Sequence, residues 1–263
     1  MRLYLTAFLL FLFGPIAVIV LFSFHSSPAL IFPFQGFSLQ WYGKLFANAA
    51  FRSSFWNSLQ VGVATTIITT VLGSLTALAL IRMGRRSKIV VEVLSLAPIG
   101  LPGLFLGVAL LTLFARIGLP RSLVTITIGH VLFTLPFFVE AMRSRITYFD
   151  FTLEEAARDL GASPWQVFSR VTLPIPAPTI MGGAMLTFAL SFDEFIITIF
   201  VGGNDTTLPL FIWSLMRRSI EPTINAVSVI TLLLSLAALA LAGLMLLAQR
   251  RRTAIARTPL FED

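Results

Sequence analysis

The chain of 263 residues is 57% apolar before its 17 glycines are counted, and only 12% charged; soluble domains run about 45–50% apolar with glycine included and about 25% charged. A mean hydropathy of +0.90, 25 phenylalanines and the absence of Cys exclude an ordinary water-soluble enzyme, a disordered regulator and a disulfide-built secreted module. The net charge of +7 sits in short clusters between long apolar stretches, a pattern that fits lipid head groups and excludes nucleic acid as a partner.

A hydrocarbon core about 30 Å thick needs roughly 20 apolar residues of helix. Six stretches supply them in chain order: Leu3–Phe24, Val61–Ile81, Val93–Ala115, Ser122–Ala141, Pro178–Val201 and Ile224–Ala248. The expected fold is therefore an all-α membrane protein with six transmembrane helices, read as one transmembrane domain over residues 1–263. The uncharged run of the first stretch exceeds the roughly 7–15 residues of a signal-peptide core, and no clean small-x-small site follows it. It reads as a retained helix. The second stretch is preceded by the polar segment Arg52–Gln60, and the third carries Pro98, Pro102 and the glycines Gly103 and Gly107.

Charge placement predicts orientation. With both termini inside, six basic residues lie outside: Lys44, Arg52, Arg116, Arg121, Arg217 and Arg218. The remainder of the 19 lie on the cytoplasmic side, the bias expected of cytoplasmic loops. Two outer segments are more than simple loops. Pro28–Gln60 carries Phe37, Leu39, Trp41, Tyr42, Leu45 and Phe46, enough to lie along the interface. Thr206–Ser219 opens TTLPLFIW and ends MRRS; it is too short to cross and is expected to fold back over the outer mouth.

The stretch about 147–178 resolves into two short helices. Thr152 followed by Glu155 has capping-box spacing, and Gly161 stands where a left-handed C-cap would end the first helix. Ser163, Pro164 and Gln166 start a second helix in the same way. Pro174, Pro176 and Pro178 then turn the chain into the membrane. The result is a compact knob on the cytoplasmic face, with Ala156 and Ala157 leaving one side flat enough for another protein to approach closely.

In this loop, Glu155-Ala156-Ala157, three residues, Gly161, nine residues and Val171-Thr172-Leu173-Pro174 resemble the EAA signature of permease subunits of binding-protein-dependent ABC importers. The one departure is Val171 where Ile is usual. The resemblance continues through Gly182–Thr198, Thr207–Leu210 and Glu221–Ser228, which look like the spermidine/putrescine subfamily, and specifically its second permease type. It implies a type I importer fold and a bacterial cytoplasmic (inner) membrane location. It also implies that the knob is a coupling helix, with Glu155, Ala156, Ala157, Gly161, Leu173 and Pro174 docking on a cytoplasmic ABC ATPase dimer. A homologous second permease subunit, paired with this chain as the heterodimer typical of polyamine-type systems, and a periplasmic or extracellular solute-binding protein complete the implied assembly. No G-x-x-x-x-G-K-[ST] loop occurs, so the chain is read as a non-catalytic subunit with no cofactor of its own, ATP and Mg being bound by the ATPase. A polyamine is the expected solute; phosphonate, opine, thiamine and ferric iron remain alternatives. A secondary transporter, also built with midplane charges and broken helices, has no need of a docking knob.

Asp193 and Glu194 are the costliest residues in any span, since an ionised carboxylate at mid-bilayer costs about 2.5–3.5 kcal/mol or more unless wet or paired. Counting from Pro178 at about 1.5 Å per residue puts Asp193 roughly 22 Å along its helix, in the outer half. Thr187, Ser191, Glu194 and Thr198 would form one polar stripe on a continuous helix. The stripe with Asp193 reads as a path for a cationic solute, or else the carboxylates pair with Arg116, Arg121, Arg217 or a residue of a partner subunit. His130 is expected to bond between helices, and Glu140 to pair with Arg143 or Arg145. Phe211 and Trp213 could form an outer gate or anchor the interface. No metal-ligand or nucleophile pattern is present.

Overall fold

A computed structural model describes residues 1–31, 33–146, 149–218 and 221–255. The regular elements among the described residues are helices, apart from an isolated bridge between His25 and Phe37. In chain order they are α1 (Arg2–Ser23), α2 (Gln40–Ala47), α3 (Ala49–Leu80), α4 (Arg85–Leu96), α5 (Gly103–Arg116), α6 (Leu123–Ile146), α7 (Thr152–Asp159), α8 (Pro164–Val167), α9 (Ala177–Phe192), α10 (Ile196–Val201), α11 (Leu208–Arg218) and α12 (Pro222–Ile255). Among them, Leu3–Ser23, Ala49–Leu80 and Leu123–Ser144 are single helices long and apolar enough to cross a bilayer. Two bent pairs raise that number to five, and Pro222–Ala238 is a shorter apolar helix. The helical, multi-pass architecture is as expected; several of the expected span boundaries are not.

Three spans differ from the sequence reading. The helix expected from Val61 begins at Ala49, because Asn48 caps it: its Oδ1 accepts the N–H groups of Ala50 and Phe51 at 2.9 and 3.3 Å. The stretch Val93–Ala115 is not one helix. Its segments Arg85–Gly100 and Gly103–Arg116 meet at 105°, where Pro102 lacks an N–H and forces Leu101 into extended backbone (ψ 124°). The stretch Pro178–Val201 is likewise divided, into α9 and α10, at residues 193–195.

The contacts divide the chain into two units. One comprises Met1–Ser58 and Asp205–Ala237. There Trp41, Leu45, Phe51, Leu208 and Phe211 are buried. Trp41 donates its indole N–H to the His25 carbonyl at 2.5 Å, and the Ser23 and Tyr42 hydroxyls bond at 2.8 Å. The segment Arg52–Gln60, polar in sequence, is helical here: Ser58 accepts the Leu208 N–H at 2.8 Å and Asn57 donates to the Thr206 carbonyl at 3.0 Å. These bonds satisfy polar groups that burial would otherwise penalise.

The other unit comprises Leu59–Asn204 and Ala238–Asp263. One apolar cluster joins Val61, Leu110, Phe114, Ile126, Ile197 and Val201; a second joins Ala77, Leu78, Phe138, Met142 and Ile146. Glycine permits the closest approaches. A Cβ at Gly73 of α3 would stand 2.4 Å from the Phe138 ring, and one at Gly183 of α9 would stand 2.9 Å from the same ring. Phe138, wholly buried on α6, is thus packed between two bare backbones.

Candidate functional site

The knob runs from Asp150 to Leu173. Its first helix, α7, is not capped by Thr152 as the spacing predicts. The N-cap is Phe151, and Asp150 accepts both the N–H and the hydroxyl of Thr152, at 2.9 and 2.8 Å. These two bonds hold the Asp150 carboxyl below the usual carboxylate range. A carboxylate two positions upstream therefore outcompetes the hydroxyl as acceptor, and Glu155 keeps its side chain exposed.

The other local expectations hold. Gly161 has φ +82°, its N–H bonds the Arg158 carbonyl at 2.8 Å, and the Ala162 N–H bonds the Ala157 carbonyl at 3.1 Å. That pair is the Schellman closure, and the positive φ is why glycine stands there. Ser163 and Gln166 exchange both capping-box bonds, at 3.4 and 2.8 Å. The chain then passes through a wide turn, Phe168–Thr172, into α9.

On the outer side of the knob, Glu155, Ala156, Gly161, Leu173 and Pro174 are exposed and Ala157 is half-buried. Ala157 and Gly161 line one open groove of about 410 Å³ with Leu160, Gln166 and Arg170. Leu160 is 90% and Trp165 72% exposed, so the knob presents large apolar side chains beside a nearly flat floor. Exposed apolar surface rimmed by polar groups is the mark of an interaction site.

The inner side holds what sequence reasoning missed. Glu154, only 3% exposed, accepts the Arg82 guanidinium at 2.5 Å and the Thr172 hydroxyl at 2.6 Å on one oxygen, and Arg158 at 3.4 Å on the other. Burial raises its pKa, but the Thr172 bond and the two arginines outweigh that and hold the carboxyl below its ordinary value. One carboxylate thereby joins the end of α3, the first knob helix and the turn leading into α9. The amphipathic placement of Glu154, one turn from Arg158 on α7, was the available signal; nothing local points to Arg82.

The carboxylates of the fifth expected span stand at the break between α9 and α10. Asp193 follows the last turn of α9 and is exposed; Glu194 is half-buried, and its Oε1 accepts the Ile197 N–H at 2.9 Å at the start of α10. None of the ion pairs among the described residues includes either one. Because the helix is interrupted, Thr187, Ser191, Glu194 and Thr198 do not form the continuous stripe expected; Thr187, Ser191 and Thr198 are buried. His130 bonds Ser191 and Thr198 at 2.8 Å each, the bonding between helices expected of it. Glu140 pairs with Arg143 at 3.6 Å, and Arg143 also reaches Glu92 at 3.3 Å. The expected fold-back segment is α11. In it Phe211 is buried against Phe51, while Trp213 is 37% exposed and carries the Arg217 guanidinium 4.8 Å from its ring centre.

A multi-pass helical chain with a capped two-helix knob between spans has the form of a transporter's membrane subunit. The fold is shared with a bacterial ABC transporter that imports the acidic polysaccharide alginate (TM-score 0.73, 18% identity, 92% of each chain). It is shared also with the MetNI methionine ABC transporter in inward-facing form (TM-score 0.64, 19% identity, 79% of this chain and 97% of that one). Residues 69–253 match the family of binding-protein-dependent transport system inner membrane components, and the chain belongs to that family. It is the permease of an ABC importer, a membrane component and not an enzyme. The chain is 36% identical over 230 residues to the putrescine transport system permease protein PotI of Escherichia coli (strain K12), spanning 84% of this chain and 82% of that protein. To the spermidine/putrescine permease protein PotC of the same strain it is 35% identical over 234 residues, 89% of this chain and 88% of the other.

Proposed function

We propose that this permease carries a polyamine of the putrescine–spermidine class inward, paired with a homologous second permease and supplied by a solute-binding protein. The observation that carries the reading is the 35–36% identity, over more than four-fifths of the chain, to two permeases named for putrescine and spermidine. Two carboxylates at the break of a broken span support a cationic solute, since an anion would meet like charge there. In this reading Asp193 and Glu194 attract the solute, while Phe211 and Trp213 flank its outer entry. Both termini face the cytoplasm, a reading supported by the basic-residue bias. The knob, with Glu155, Ala156, Ala157, Gly161, Leu173 and Pro174, docks on a cytoplasmic ATPase dimer that binds ATP and Mg.

The test is ATP hydrolysis by the complex reconstituted in lipid with its own binding protein, ATPase and second permease. Putrescine or spermidine will stimulate turnover; phosphonate, an opine, thiamine and ferric iron will not. Stimulation by one of those instead would leave the importer reading in place and overturn the solute. A second prediction concerns the exposed face of the knob. Glu155→Lys, which reverses a charge on a docking surface without touching the core, is expected to lower solute-driven uptake about tenfold or more while insertion into the membrane stays normal. Uptake at the parent rate would remove Glu155 from the docking surface.

A further inference from the structure

Within the unit that contains α6, α9, α10 and α3 from Leu59 onward, the break in the fifth span is bridged by one side chain. His130 on α6 is 1% exposed, and its two ring nitrogens reach the last turn of α9 at Ser191 and the first turn of α10 at Thr198, 2.8 Å in each direction. The protons can be assigned by elimination. The Thr198 hydroxyl donates to the Glu194 carbonyl at 2.9 Å, so toward His130 it can only accept. Nε2 therefore carries the ring proton, and Nδ1 accepts from the Ser191 hydroxyl. The backbone of His130 is fixed as well: Thr134 donates to its carbonyl at 2.8 Å, which leaves Thr69 of α3 to donate to the Thr134 oxygen at 3.1 Å.

We infer that His130 is the positioning residue of the broken span, a latch that sets the geometry of the Asp193–Phe195 break by holding α9 and α10 to α6 through a directional chain of hydrogen bonds. The surrounding packing agrees. A second contact from α6 lies at the far end of α10, where the Thr125 hydroxyl stands 2.8 Å from the Val201 carbonyl and shares its proton with the Ser122 carbonyl at the same distance. A Cβ at Gly129 would stand 2.8 Å from Ile197, so α10 lies directly on the α6 backbone at this point. Helix breaks inside a membrane persist only where side chains re-satisfy the freed backbone and fix its course. Here the Glu194 carboxylate accepts the Ile197 N–H in the first turn of α10 while its carbonyl accepts from Thr198, and Thr198 is held by His130. The latch thus acts on the carboxylates through Thr198. Its relevance to transport rests on the proposed solute path.

The chain has no Cys, so Asp193→Cys provides a single thiol at the break. The assembled complex in lipid is treated with a membrane-impermeant maleimide, and the modification rate of this chain is read by mass. His130→Phe, which keeps the ring volume and removes both bonds, is expected to change that rate about tenfold while leaving unchanged the rate of a control thiol at Met216→Cys. Thr198→Val should change it in the same direction, and Thr198→Ser, which keeps the hydroxyl, should retain the parent rate. The parent rate in both His130→Phe and Thr198→Val overturns the latch. Should His130→Phe fail to assemble, the Thr198 pair decides, since Thr198→Val exchanges only the hydroxyl for a methyl and Thr198→Ser removes only the methyl. Uptake separates this inference from the path reading: normal uptake in Glu194→Gln removes the path but leaves the thiol rates to judge the latch.

Discussion

Gly73→Val is expected to destabilise the folded chain by about 1–3 kcal/mol, the usual cost of overpacking a filled core. The argument is geometric. A Cβ at Gly73 would lie 2.4 Å from one ring carbon of Phe138, a separation that side chains do not tolerate, and 3.0 Å from the next. Phe138 has no room to give way, because its opposite edge faces Gly183, where a Cβ would meet it at 2.9 Å. The ring is fully buried, so the strain must move α3 or α9. The thermal midpoint of the purified complex measures this, and the double variant Gly73→Val with Phe138→Ala should recover part of the loss because the two changes share one space. An unchanged midpoint in the single variant would show that the helices are free to separate at this level.

Glu154→Ala is the second large effect. Arg82 is 43% exposed on its side chain, so the loss falls short of that for a fully buried pair; about 1–2 kcal/mol of local stability is expected. It should appear as faster amide exchange along α7, by about tenfold, with the transmembrane helices unaffected. Acid should mimic the substitution. Because the folded-state pKa of Glu154 is depressed, its contribution is complete above the unfolded-chain value of about 4.3 and is lost as pH falls through the depressed value. Exchange of α7, corrected for its intrinsic pH dependence, should therefore accelerate in acid in the parent and not in Glu154→Ala. Equal acceleration in both would locate the acid response elsewhere.

Elements governed by local rules were legible in the sequence. Gly161 at the end of α7, the Ser163–Gln166 box and the uncharged run of α1 all act within a few residues of themselves. The family signature was legible for the same reason, being a short pattern of residue types. What depended on competition was not. Thr152 and Asp150 both offer an acceptor near the start of α7, and a neutral hydroxyl lost to a carboxylate. The break at residues 193–195 has no Gly or Pro to announce it, and apolar flanks on both sides made one helix the natural reading. The bend before α5 was signalled by Pro102, but a 105° turn depends on what α5 packs against. Glu154 with Arg82 joins positions far apart in the chain, and no local pattern reports such a pair. Among the candidate path residues, Thr187, Ser191 and Thr198 had the right spacing for a stripe, but the stripe depended on helical continuity that the structure does not keep.

One consequence follows from the exposure of α1. Only 6% of its apolar window is buried among the described residues. It is fastened near its last turn, where Ser23 meets Tyr42 and Phe22 packs beside His25 and Phe34. A helix of 22 residues is about 33 Å long, so a pivot of roughly 10° about that fastened end sweeps the other end through about 6 Å. A thinner or thicker bilayer can therefore be met by a change in the tilt of α1 about its fastened end, at little cost in buried contacts among the described residues.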